Sequence, residues 1–288
     1  MKSLLLVTAA LLTFDASASV LSPDVVYGKD NRVEASLSKN PEYRRLAQSV
    51  ATLIPNKYVI NLPLSKTRIR GSKLTKFGVC KTERFASQIS AGDCTGFLVA
   101  PDLLVTAGHC ITSMDDCNSK KWVFDYTTSK EKQGSMNVKD SSVYSCVEII
   151  ERKLDRSNRN DYALLRLDRK VTDREPLKFR GAGKAAIGDE LVIIGSPSGL
   201  PLKVADGAAV RSLEEVFFVA NLDSFGGNSG SPVINAKTSE VEGILVRGDK
   251  DYVPSPDGRK CGVAMKCSDS GCRGEDVTYI TNIKTLNK

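Results

Sequence analysis

Hydrophobic positions along the chain come in short runs, broken by Pro, Gly, Asn and charged clusters. Such punctuation predicts strands, not long helices. Residues 48–54 form a first candidate strand, ended by Pro55-Asn56. Residues 58–63 are apolar, and 64–76 read as a basic loop. Residues 97–99 and 103–106 read as strands joined by a turn at Pro101-Asp102. Residues 122–126 and 145–150 follow. The charged stretch 151–160 has no helical apolar stripe and reads as a surface loop. Residues 177–184 connect to a second set of strands at 191–195, 208–211, 216–222, 233–235, 242–246 and 277–280. Between these, 249–273 is loop-like, with Pro254, Pro256, Gly258 and three cysteines. No amphipathic helix is predicted before the last residues, and the expected class is all-β.

The first 18 residues break this pattern. Lys2, an apolar run from Leu4 to Phe14, and Ala16-Ser17-Ala18 make a secretory signal peptide with a small-residue cleavage site. The run is too short to span a bilayer, so no membrane anchor is expected. Eight cysteines behind such a leader imply an oxidising compartment and disulfides. The net charge of +7 carries no Lys/Arg stripe interleaved with aromatics, and reads as solvated surface, not a nucleic-acid interface.

Three blocks carry candidate chemistry. In Phe225-Gly226-Gly227-Asn228-Ser229-Gly230-Ser231-Pro232, a hydroxyl sits between small residues, as a nucleophile on a tight turn requires. His109, the only histidine in the chain, ends Leu104-Val105-Thr106-Ala107-Gly108 and should lie just past a strand. Asp161 opens the apolar run that begins Asp161-Tyr162-Ala163-Leu164. The order is His, Asp, Ser, the order of chymotrypsin. Alone, each block has a plain alternative: a turn serine, a structural histidine, a solvated acid.

Together the blocks resemble the trypsin/chymotrypsin superfamily of serine peptidases. Gly-Gly-Asn-Ser-Gly-Ser-Pro is most similar to its bacterial branch, the glutamyl-endopeptidase-like secreted proteases. The likeness runs from about Val25 to Ile283. It implies two packed antiparallel six-stranded β-barrels, stabilised by disulfides, within a peptidase domain over 25–288. The first barrel would span about 45–170 and the second about 185–285. A short propeptide over 19–24 is compatible with it. His109 would be general base and acid, Asp161 its orienting carboxylate and Ser229 the nucleophile. The backbone N–H groups of Gly227 and Ser229 would form the oxyanion hole.

The resemblance also pairs Cys94 with Cys110. Cys80, Cys117, Cys146, Cys261, Cys267 and Cys272 then allow fifteen connectivities. A zinc cluster of Cys261, Cys267 and Cys272 is disfavoured, since no histidine is spare, and neither metal nor cofactor is expected. Digestive members place an aspartate just before the nucleophile to pair with a cut amino terminus. Here that residue is Asn228, and activity should not depend on such a pair.

Substrate preference is divided. Asp223, six residues before Ser229, occupies the place of the trypsin pocket acid, with Ser224 beside it, which would favour Lys or Arg before the scissile bond. Alternatively Asp223 hydrogen-bonds backbone amides and never meets substrate. Glutamate preference in the bacterial branch relies on a pocket histidine, and none remains. Val246, Arg247 and Gly248 should form the substrate-binding wall, where Arg247 would narrow the subsites or pair with Asp223. The expected protein is a secreted, monomeric serine endopeptidase acting on protein or peptide substrates. The rival is a catalytically silent relative binding protein or anionic glycan.

Overall fold

Antiparallel ladders build two β-structures that meet across a shared core. The computed structural model describes residues 26–132, 134–248 and 250–287. The predicted leader and the stretch 19–24 lie outside these residues. In the first half, β1 (Val50–Pro55), β2 (Cys94–Ala100), β3 (Leu103–Thr106), β4 (Lys120–Val123), β5 (Val143–Tyr144), β6 (Cys146–Leu154) and β7 (Asp161–Leu167) form one sheet. Its order is β5-β4-β1-β2-β3-β7-β6. A four-stranded sheet containing Lys66–Ile69 and Ser135–Lys139 packs Ile69, Met136 and Val138 against Ile54 and Val123 of that sheet. The result is an open, half-barrel structure.

The second half closes. Its strands are β8 (Glu190–Gly195), β9 (Lys203–Leu213), β10 (Phe217–Ala220), β11 (Pro232–Asn235), β12 (Val241–Arg247) and β13 (Glu275–Tyr279). They run β8-β11-β12-β13-β10-β9, and β9 pairs back onto β8 to complete a six-stranded barrel. The fold is all-β and of the chymotrypsin-like double-barrel kind.

Side-chain alternation explains why these strands read as unbroken apolar runs. In β8, Leu191 and Ile193 face the barrel interior, while Val192 and Ile194 join the core shared with the first half. Val233 and Ile234 divide likewise, and so do Leu245 and its neighbours Ile244 and Val246. A strand buried on both faces loses the polar half of its period-two pattern. The shared core also takes Trp122, Phe97 and Leu104, all fully buried. Truncating one such residue to Ala costs about 2–5 kcal/mol.

The structure departs from the sequence expectation at several elements. Strand β6 runs on to Leu154, into the stretch expected as loop, and the basic loop contains the strand Lys66–Ile69. Within 249–273, Tyr252–Pro254 pairs with Gly262–Ala264. Two unexpected helices are present, α1 (Pro41–Ala47) and α2 (Met114–Ser119). The Asn40 side chain accepts from Glu42 N–H at 2.9 Å and Pro41 starts the first turn, a sound capping arrangement. α1 buries only Tyr43, Leu46 and Ala47, too short a stripe to register as periodic.

All eight cysteines are paired. Cys94–Cys110 forms as the resemblance implied, and the six others settle as Cys80–Cys261, Cys117–Cys146 and Cys267–Cys272. Among the described residues, no helix is long and apolar enough to cross a membrane.

Candidate active site

The strand pair β3–β7 creates the first half of the site. Ala163 lies opposite Thr106, so the start of β7 is adjacent to the exit of β3, where the chain turns through Ala107-Gly108-His109. Cys110 N–H donates to Ala107 O at 3.1 Å and tightens that turn. Asp161, buried at 3% exposure, then holds His109 at two points. One carboxylate oxygen accepts the His109 backbone N–H at 3.1 Å, and the other lies 2.8 Å from Nδ1. A carboxylate offers acceptors only, so the ionised acid places the proton on Nδ1 and leaves Nε2 as the acceptor.

The second half is the turn between β10 and β11. Asn228 N–H donates to Phe225 O at 2.9 Å, and Ser231 N–H to Asn228 O at 2.8 Å. Gly230 N–H donates to Leu245 O at 2.7 Å, tying the turn to β12. Between these, the N–H groups of Gly227 and Ser229 have no acceptor among the described residues. Unpaired backbone donors flanking a half-buried hydroxyl form a ready site for an anionic oxygen. Gly227 has φ +93°, and a Cβ there would run into the Ser196 carbonyl and Gly199 amide. Only glycine turns this peptide without strain.

Thr95, at the start of β2, joins the two halves. Its N–H donates to Ser229 O and its hydroxyl to Gly227 O, each at 2.8 Å, while its carbonyl accepts from the Thr106 hydroxyl at 2.7 Å. The neighbouring disulfide lays Cys110 Sγ 3.7 Å from Ser229 O. His109 and Ser229 therefore border adjoining parts of one cleft, both lined by Val246 and Arg247. Sequence reasoning missed Thr95; its one signal is a polar residue between Cys94 and the apolar run it begins. Asn228 is buried and accepts from the Ser231 hydroxyl at 3.4 Å.

The expected pocket residues separate. Ser224, Val246, Arg247 and Gly248 line the cleft beside Ser229. Asp223 does not. Its carboxylate is turned toward the amino-terminal segment, accepting from Tyr27 N–H at 2.8 Å and Asn31 N–H at 3.2 Å. Of its two sequence readings, the geometry matches the one in which the acid binds backbone amides. Burial lifts its carboxyl to about 6. Arg247 does not reach Asp223 either. It donates to the Arg159 carbonyl and lies 3.5 Å from Asp276, a fully buried carboxylate also contacted by Arg159 and Arg273.

With the fold and this cleft defined, comparison with known proteins gives the class. A trypsin-like peptidase domain matches residues 94–244, just over half the chain, and the chain belongs to that family. It is also similar to the extracellular metalloprotease of Bacillus subtilis (strain 168), 26% identical over 202 residues, which cover 65% of this chain and 60% of that protein. The chain thus spans less than two thirds of that relative's length. Among solved structures, the VesB protease of Vibrio cholerae superposes with a TM-score of 0.52 at 15% identity, over 88% of this chain and 65% of that one. That likeness concerns fold. The Rv3671c protease in its inactive form gives a TM-score of 0.46 at 16% identity, over 92% of this chain and 95% of that one.

The Bacillus subtilis relative is named a metalloprotease. Among the described residues, the donor atoms of Cys94, His109 and Cys110 lie within 4.8 Å of one another. This group does not suit a metal ion, because both sulfurs are joined in a disulfide and neither can be a thiolate.

Proposed function

We propose that the chain is a secreted serine endopeptidase that cleaves protein or peptide substrates through an acyl-enzyme. Ser229 attacks the scissile carbonyl while His109 Nε2 takes its proton. The Gly227 and Ser229 N–H groups receive the oxygen as it becomes anionic. His109 then returns the proton to the leaving amine, and water repeats the cycle to release the acyl group. Asp161 holds the imidazole in the required tautomer and balances its charge. The carrying observation is the two-point grip of Asp161 on His109, in a cleft shared with a turn where the N–H groups of Gly227 and Ser229 have no acceptor among the described residues. Four disulfides and an extracellular relative support export.

The test is a fluorophosphonate probe, which labels only an activated serine, applied to the mature protein. Wild type is expected to label and to cleave peptides, and Ser229→Ala to do neither. Equal labelling of both proteins would place the reactive hydroxyl elsewhere, and labelling of neither with the fold intact would favour the silent binding protein; either result ends this reading.

A further inference from the structure

With Asp223 directed at the amino-terminal segment, the cleft beside Ser229 holds two other acids. A cavity of about 270 Å³ is lined by Ser224, Ser229, Arg247, Gly248, Asp251 and Glu275 among others. Glu275 opens β13 and is 2% exposed. The Ser224 hydroxyl donates to its Oε2 at 2.6 Å, and its Oε1 is buried with no hydrogen-bond partner among the described residues. Asp251 stands at the rim, where Oδ2 accepts the Gly226 N–H at 2.8 Å.

Two features show a carboxylate presented to an occupant. At Gly248 a Cβ would overlap the Glu275 carboxylate where it now stands, so the glycine leaves room for that carboxylate against the cleft wall. The nearby cations are engaged elsewhere: Arg159, Arg247 and Arg273 all converge on Asp276. Burial raises the Glu275 carboxyl well above the usual carboxylate range, with Arg273 opposing and Asp251 and Asp276 adding to the rise. A buried carboxylate with an unpaired oxygen is costly, and an entering cation removes that cost.

We infer that Glu275, with Asp251 at the rim, is the specificity acid of this peptidase, receiving the cationic side chain of a Lys or Arg before the scissile bond. The inference rests on the serine peptidase reading, and it moves the pocket acid from the nucleophile loop to the facing strand. An ammonium or guanidinium entering over Gly248 would meet Glu275 Oε1 deep in the cavity and Asp251 at its mouth. The Ser224 hydroxyl oxygen offers a further acceptor.

Two measurements test this independently of each other. Binding of benzamidine, an amidine mimic of the Arg side chain, is measured by calorimetry in the Ser229→Ala protein, where no triad is needed. We expect binding there, and an affinity about 100-fold lower when Glu275→Gln is added. Peptide cleavage by the active enzyme should favour Lys and Arg over Leu and Gln by a similar factor. That preference should collapse in Glu275→Gln and survive in Asp223→Asn.

Benzamidine affinity unchanged by Glu275→Gln, or a labelled wild type with no preference for Lys or Arg, would overturn the assignment. The serine reading would still stand. Absence of labelling with Glu275-dependent benzamidine binding retained would strike the serine reading and keep the pocket. If Glu275→Gln lacks a cooperative unfolding transition, Glu275→Asp replaces it. Withdrawing the charge by one methylene should weaken benzamidine about 10-fold, and undiminished affinity would refute the proposal.

Discussion

Asp223 and Glu275 are both buried carboxylates near the Ser229 turn, and their neighbours give them different fates. Among the described residues Asp223 has two backbone N–H donors, whereas Glu275 has one hydroxyl and an oxygen left over. The Asp223 environment has a measurable consequence. Its folded value of about 6 lies above the ~3.9 of an unfolded chain, so the folded state binds the proton more tightly. Stability from this residue is therefore greatest below about pH 4 and falls as pH rises through 6. The loss is on the order of 2–3 kcal/mol. Asp223→Asn cannot ionise and keeps an acceptor for the Tyr27 amide. In a Ser229→Ala background, which prevents autolysis, its denaturation midpoint relative to the parent should rise between pH 4 and pH 7. A constant difference across that range would mean that the two amide donors fully compensate burial.

At the scale of elements, strand β2 is the piece on which the site is assembled. Thr95 reaches the Ser229 turn twice and the strand leading to His109 once, and its hydroxyl also accepts the Ser196 N–H at 3.1 Å. Thr95→Val keeps the shape but strands the Gly227 carbonyl and the Ser196 amide. Thermal unfolding should register about 1–3 kcal/mol of lost stability. The fluorophosphonate labelling rate should fall as well, because Gly227 is no longer held; an unchanged rate would show that the turn is rigid without β2. The strands beside His109 and Asp161 were legible because one short apolar run stops just before His109 and another starts at Asp161. The helices α1 and α2 were not, since two turns bury too few residues to show a period. Nor was the extension of β6, whose exposed and half-buried charged residues read locally as loop.

For the molecule as a whole, the disulfides act over very different distances. Cys80–Cys261 spans 181 residues and ties the first half to the excursion before β13, whereas Cys267–Cys272 closes only 5. In the chain-entropy model the long loop contributes about 5 kcal/mol and the short one about 2 kcal/mol. Replacing Cys80 and Cys261 with Ser should therefore lower the denaturation midpoint clearly more than replacing Cys267 and Cys272. Equal losses would indicate that native contacts, not the unfolded chain, set the contribution. The six cysteines outside the family pairing could not be matched from spacing, because their pairing depends on which loops the double barrel brings together.

The all-β class is legible in the sequence alone, and so, as an expectation, are the three candidate triad residues and the glycine that the Ser229 turn requires. These are local matters: apolar periodicity, backbone freedom and side-chain chemistry reside in neighbouring residues. Tertiary structure decided which acid faces the cavity. Ser224 and Glu275 are separated by 51 positions, and Asp223 lies 196 from Tyr27 and 192 from Asn31. A carboxylate's role depends on the donors that reach it, and those donors arrive only when distant strands pack.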